Sequence, residues 1–212
     1  MLVNSQFDNL QPEKKERIIN AALKEFAQNG YEKASTNQII KEAGIAKGSL
    51  FNYFNNKKEL YLFLLDYVTK VIEEIYSKVD WDETDFFERV RQAGFIKFEV
   101  YKKYPQAFDF MKRAAHESAA EVRAEIEALT QNLIATGLEK SYQNIDFSKF
   151  RTDLDLEKVT KIINWTMLGF AEEQRDKITS FQEVTEDVLV EWEMISNTLK
   201  RCFYKEEYCG DD

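Results

Sequence analysis

Residues Ser35–Phe54 read STNQIIKEAGIAKGSLFNYF. Ser35-Thr36-Asn37-Gln38 has the S-x-x-Q form of a capping box, in which the Ser35 hydroxyl accepts from the Gln38 amide and the Gln38 side chain returns to the Ser35 amide. A helix of about two turns is expected to follow, with Ile39, Ile40 and Ala43 as its apolar positions. Gly44 ends it, because a left-handed residue costs glycine little, and Ile45 follows as a hydrophobic plug. A second short helix is expected from near Lys47, carrying Leu50, Phe51 and Phe54. Two short helices joined by a glycine turn make a helix-turn-helix, whose second helix can present its N-terminal side chains to base edges in a major groove.

The flanking residues extend the helical pattern in both directions. Residues 1–11 are polar and expected to be loose. Pro12 suits the first turn of a helix, and Glu13 suits its positive end. Ile18, Ile19, Ala22, Leu23, Phe26 and Ala27 recur at three- and four-residue spacing, and Asn29-Gly30 ends that helix. An Asn-Gly pair is also a hairpin signal, but its flanks here do not alternate. Downstream, a helix is expected over about Lys57–Lys78, striped by Leu60, Phe63, Leu64, Tyr67, Val68, Val71 and Ile75. Trp81–Thr84 is a break. The next helix runs from Asp85 to about Tyr104, with Phe87, Val90, Gly94, Phe95, Phe98 and Tyr101 inward. Pro105 closes it and opens a short helix through Phe108 and Met111. A further helix is expected over about Ala119–Tyr142, then a loop at 144–153, then helices over about Leu156–Lys177 and Phe181–Tyr204. No strand pattern, internal repeat or low-complexity segment interrupts this. The expected fold is all-α with about nine helices. A three-helix head carrying the helix-turn-helix occupies residues 1–55, and a larger helical bundle occupies 56–212, linked through the helix that starts near Lys57.

Composition narrows the function. The chain has 212 residues with only two prolines and seven glycines, which suits long uninterrupted helices. Its longest wholly apolar run, Leu60–Leu65, is far short of the roughly 20 residues a membrane span needs, so no membrane partner is expected. The N-terminus lacks the positive head and apolar core of a signal peptide. Cys202 and Cys209 stand without other Cys or His nearby, which favours a reduced, cytoplasmic setting over a disulfide or metal pair. His116 is the single histidine, beside Glu117 and Glu121, with no Glu-x-x-His pattern, so no metal is expected. Phosphate-loop, nucleophile-elbow and zinc spacings are missing from the sequence, which makes an enzyme the least supported class and no cofactor expected. The net charge is −9, but residues 1–60 hold nine basic against seven acidic residues, a net of +2 that leaves −11 for the remainder. Such a head can approach a polyanion while the body is repelled by it.

Ile39–Phe54, followed by Lys57-Lys58-Glu59-Leu60, resembles the DNA-binding signature of the TetR (tetracycline repressor) family, with glycine, aromatic and lysine positions in matching order. Ala46 stands where many members carry a serine cap, and Phe51 where a tyrosine is common. The resemblance implies double-stranded operator DNA, a homodimer and a small-molecule effector as partners. Lys47 can donate to guanine or phosphate, as can the Ser49 hydroxyl, with Asn52 on the same helix. Gly48 permits close backbone approach, and the free amides at Ser35, Thr36 and Asn37 suit a phosphate oxygen. Tyr53 and Lys57 match the family's phosphate contacts.

The body is rich in aromatics, and these could line a cavity or pack as core. The resemblance implies a cavity for an apolar or amphipathic effector, with Phe95, Phe98, Tyr101, Phe108, Met111, Trp165 and Phe170 as candidate lining. The sequence shows no clustered Arg or Lys set, which argues against a highly anionic ligand. In the family the last two helices form a four-helix dimer interface, which here would use Ile163, Met167, Val188, Trp192, Ile195 and Leu199; those stripes could instead be core. The expected function is a sequence-specific DNA-binding regulator, a repressor released by its effector. The alternative is a helical dimeric interaction protein whose helix-turn-helix no longer binds DNA.

Overall fold

The computed structural model describes residues 5–209. Among them the chain forms ten α-helices: α1 Ser5–Asp8, α2 Pro12–Lys33, α3 Thr36–Ala43, α4 Ser49–Tyr53, α5 Lys57–Lys78, α6 Phe86–Lys103, α7 Pro105–Ala114, α8 Arg123–Tyr142, α9 Leu156–Lys177 and α10 Asp187–Phe203. No strand is formed among the described residues; Phe150 and Tyr204 make one isolated antiparallel bridge. The helices pack as two compact units, one of residues up to 73 with 104–133, the other of 74–103 with 134 onward. The head therefore shares its unit with α7 and the first half of α8, a wider grouping than a division at residue 55.

In the first unit, Ile18, Ala22, Leu23 and Phe26 of α2 are buried with Ile39, Leu50, Phe54, Leu60 and Leu64. Tyr61 meets Phe26 and Phe110 edge-on, each at 5.0 Å between ring centroids. The expectation of a loose N-terminus fails over residues 5–8, while residues 1–4 lie outside the described residues. Phe7 is buried against Tyr53, Phe54 and Phe63, with centroids 5.7, 5.1 and 5.2 Å away. Burying a phenyl ring stabilises by roughly 2 kcal/mol, enough to hold one helical turn in place.

The expected end of the first long helix at Gly30 is a break rather than a stop. Gly30 has φ 68° and ψ 178°, and a helical turn resumes to Lys33. A β-carbon there would lie 2.6 Å from the Arg113 guanidinium, which would have to move aside, and the backbone conformation itself requires glycine. Two carboxylates accept the amides that this break and the following turn expose. Glu117 accepts from the Tyr31 amide at 2.7 Å and from those of Ser118 and Ala119 at 3.0 Å. Glu25, itself buried, accepts from the Ser35 amide at 2.8 Å and from the Asn29 side chain at 3.0 Å.

The second unit is built on Phe86, Phe87, Val90, Ile145, Phe150, Val159, Ile163 and Tyr204. Asp85 starts α6 by accepting from the Phe87 and Glu88 amides at 3.0 and 3.1 Å. Lys149 donates to its other oxygen at 2.9 Å. Burial pushes the Asp85 carboxyl up, but Lys149 and the amides bring it below its ordinary value. The loop expected at 144–153 contains a 3-10 turn at Phe147–Lys149, and Phe150 within it is buried. The helix expected over Phe181–Tyr204 is divided: a 3-10 turn at Phe181–Glu183 precedes α10. The helix expected from Ala119 starts at Arg123.

Burial pushes the Glu117 carboxyl up, but the Tyr31, Ala119 and Ser118 amides hold it below its ordinary value. Its unfolded value is about 4.3, so its stabilising contribution is complete above that pH and is lost as pH falls through the lower folded value. Glu117→Gln is expected to cost about 1 kcal/mol at pH 7. It should also flatten the acid limb of the unfolding midpoint measured by calorimetry from pH 6 to pH 3. An unchanged acid limb would remove Glu117 from this role.

Candidate nucleic-acid interface and cavity

The helix-turn-helix is held at three points. The Ser35 hydroxyl accepts from the Gln38 amide at 3.3 Å, as the capping box requires, but Glu25 rather than Gln38 takes the Ser35 amide. Gly44 is left-handed at φ 64°, and the Ile45 amide reaches back to the Ile40 carbonyl at 3.2 Å, which closes α3. Ile45 is half-buried. At the start of α5, Asn56 accepts from the Glu59 amide at 2.9 Å while Glu59 accepts from the Asn55 amide at 3.0 Å. That reciprocal cap fixes where the chain leaves α4.

The second helix of the motif starts two residues later than expected. Lys47 and Gly48 lie in a turn, and α4 begins at Ser49 without a side-chain cap, in keeping with alanine at 46. Leu50 and Phe54 are buried and anchor α4. Lys47, Gly48 and Asn52 are exposed, as are Ser35 and Asn37; Thr36 and Ser49 are half-buried. Open space surrounds the Gly48 β-position. Tyr53 is half-buried, packed on Phe7, with the Lys14 ammonium 5.9 Å from its ring centroid. Phe51, where the family resemblance implies a tyrosine, is 48% exposed beside Asn52. Lys57 departs most from expectation. Its ammonium donates to the carbonyls of Glu32 at 3.0 Å and Ala34 at 3.5 Å, and lies 4.9 Å from the Tyr31 ring centroid.

Within the second unit, α6, α9, α10 and the segment between the last two line an open pocket of about 320 Å³. Phe98, Tyr101 and Phe170 line it. The other four expected lining residues do not. Phe95 and Trp165 point outward, 44% and 69% exposed, and Phe108 and Met111 belong to the other unit. Met167, Val188 and Trp192, expected at a dimer interface, line the cavity instead. Ile163 is core, and Leu199 packs against that core; Ile195 is half-buried. α9 carries apolar residues on two faces, and Ile162, Trp165 and Leu168 form its exposed one, accompanied on α10 by Val190 and Met194.

The cavity also holds charged residues that sequence reading passed over. Arg89, 1% exposed, lines it. Its guanidinium donates to the carbonyls of Lys140, Ser141 and Gln143 at the end of α8 and to those of Trp81 and Glu83. Burial pulls this guanidinium below its ordinary value, against the opposing pull of Glu83, Asp80 and Asp82. His116 is exposed, and no group of three His, Cys, Asp or Glu suited to a metal occurs among the described residues. No helix among them is long and apolar enough to cross a membrane.

Residues 18–63 match the family model for bacterial regulatory proteins of the tetR family. Over 97% of this chain and 100% of the other, the fold matches a TetR family transcriptional regulator from Chloroflexus aurantiacus J-10-FL, at 22% identity and TM-score 0.66. The match at residues 18–63 and the shared fold make the chain similar to TetR-family regulators. An uncharacterized HTH-type transcriptional regulator, YxaF of Bacillus subtilis, is 33% identical over 78 residues, covering 36% of this chain and 41% of that protein. The regulator FadR of Bacillus subtilis, solved in complex with stearoyl-CoA, shares the fold at TM-score 0.57 and 19% identity over 88% of this chain and 95% of that one. The chain spans less than two thirds of the length of the curated relatives it matches, from 41% to 64% for the first three. For a TetR-family head the exposed Lys47 and the internally bound Lys57 should behave differently on substitution. Lys47→Ala is expected to change operator preference and to lower the salt slope of binding by about one, with an unchanged melting temperature. Lys57→Ala should lower the melting temperature as well. Anisotropy titrations across a salt series, run beside calorimetry, check both.

Proposed function

We propose that the chain is a homodimeric, sequence-specific repressor of the cytoplasm, released from its operator by a small apolar or amphipathic effector. Residues 1–55 serve as the DNA-binding domain, and 56–212 as the effector-binding and dimerisation domain. The observation that carries the reading is the exposed set Lys47, Gly48 and Asn52 on a helix-turn-helix whose buried side is anchored by Leu50 and Phe54. Ser35, Thr36, Asn37, Ser49 and Tyr53 flank that set as phosphate or sugar contacts, and Lys57 positions the turn before α3. We assign no catalytic role: the matched relatives are transcriptional regulators.

The effector site is the cavity of the second unit, with Phe98, Tyr101 and Phe170 joined by Met167, Val188 and Trp192. The acyl-CoA bound by the similarly folded regulator of Bacillus subtilis supports an amphipathic ligand. α5 begins beside Ala34 through Lys57 and runs unbroken to Lys78, with Ile75 buried in its last turn. An effector must bind the DNA-incompetent state more tightly to shift the equilibrium, with a coupling of about 1–3 kcal/mol for such systems.

Dimerisation uses the outward faces of α9 and α10. Trp165 and Met194, 69% and 68% exposed, are the most exposed large apolar residues. Val190 lies one turn from Met194, and Ile162 and Leu168 one turn to either side of Trp165, so the exposed groups form stripes rather than scatter. A permanent interface built on them would bury roughly 2,000 Å² or more. The competing reading, an interaction protein that has lost DNA binding, draws on the net charge of −9. Sedimentation at micromolar concentration should give twice the chain mass. The double variant Trp165→Glu, Met194→Glu should sediment as a folded monomer and lose the gel shift that the parent gives with DNA upstream of its own gene. A parent that is monomeric, or a dimer that shifts no DNA, would refute the repressor reading.

A further inference from the structure

Among the described residues, the exposed large hydrophobic side chains all fall in the second unit with one exception, Phe51 at 48% exposure. The other aromatics around α4 turn inward on one another. Phe7 meets Phe54 at 5.1 Å and Tyr53 at 5.7 Å between ring centroids, and Phe54 meets Phe63 at 5.2 Å. Phe51 joins none of these contacts. Leu50 and Phe54, which anchor α4, are buried, so Phe51 lies off the anchoring side.

A lone apolar side chain on a protein surface is ordinary in itself. The place of this one is not. Phe51 is the third residue of α4, and the N-terminal residues of the second helix in this motif are those that reach base edges. Lys47, Gly48 and Asn52 beside it are exposed, and the open space around the Gly48 β-position, three residues earlier, lets the backbone come close to a partner. A phenyl ring has no donor or acceptor, so whatever Phe51 recognises is apolar. The charge of the head indicates the kind of partner. Residues 1–60 carry a net of +2 against −11 for the remainder, which suits a polyanion. On the major-groove edge of a duplex the apolar feature is the thymine C5-methyl group, set among hydrogen-bonding atoms.

We infer that Phe51 is a specificity residue of the reading helix, its ring packing on the C5-methyl of one thymine in each operator half-site. This rests on the reading of the chain as an operator-binding dimer. The contact discriminates thymine from bases that lack the methyl. It neutralises no phosphate, so it leaves the salt dependence of binding alone, in contrast to Lys47. The loss of a tyrosine hydroxyl at this position, which reads in the sequence as a missing polar contact, is on this account a gain of apolar readout.

The test uses an operator recovered by selecting the full chain on a randomised duplex pool, then remade with deoxyuridine in place of each half-site thymine in turn. Uracil lacks the methyl but keeps the base pairing and the O4 acceptor. Anisotropy titrations at fixed salt should find one thymine per half-site whose replacement weakens binding about fourfold, the loss expected for one buried methyl, and about fifteenfold when both half-sites carry it. Phe51→Ala should bind the parent operator at least as weakly as the wild-type chain binds the doubly substituted one, and should lose nothing further on that substitution. Its melting temperature and salt slope should match the wild type, since the ring is exposed and alanine favours the helix. Phe51→Leu, smaller but apolar, should keep part of the contrast. An operator without thymine in its half-sites, one with no methyl-dependent position, or a contrast of undiminished size in Phe51→Ala would overturn the assignment and leave the DNA-binding reading standing. Failure to select any operator would overturn both.

Discussion

The break at Gly30 is the constraint on which the head depends. A right-handed helix cannot continue through a backbone at φ 68°, so the chain turns there and exposes amides that must find acceptors. Glu117 and Glu25 supply them, one from the segment after α7 and one from α2 itself. The Lys57 ammonium closes the same turn from the other side by taking the carbonyls of Glu32 and Ala34. The start of α3 is thus set by three charged groups drawn from α2, α5 and the α7–α8 connection. Only then do Leu50 and Phe54 have a fixed surface to pack on, and only then does α4 present one face to solvent.

The second unit has a comparable tie in Arg89. Five carbonyls from the end of α8 and the turn before α6 converge on one guanidinium, including three that would otherwise be unsatisfied at a helix C-terminus. The geometry satisfies both terminal nitrogens, and the opposite charges of Glu83, Asp80 and Asp82 act on the guanidinium without a direct ion pair among the described residues. The same residue also lines the cavity.

Much of this is legible in the sequence where the determinants are local. The bounds of α5 and α9 follow the apolar period and the flanking caps, and the αL glycine at 44 follows from its place after Ala43. What is not legible depends on distant partners. Glu117 lies 86 residues from the Tyr31 amide it accepts, and the α8 carbonyls lie 51 to 54 residues from Arg89. An arginine or glutamate in an amphipathic helix reads as surface unless its acceptors or donors are known. α9 misleads for another reason: with apolar residues on two faces, adjacent Ile162 and Ile163 give no phase, and the buried one reads as interface. Phe7 escapes a sequence reading because a single turn has no period to detect.

The account stands or falls on whether two such heads read one duplex. Selection of the full chain on a randomised duplex pool, at physiological salt and followed by sequencing, measures this whatever the operator sequence is. The account predicts an enriched two-fold symmetric sequence, with half-sites separated by about one helical turn, 10–10.5 base pairs, or a multiple of it. Recovery of no enriched sequence, or of a single asymmetric half-site, would contradict it.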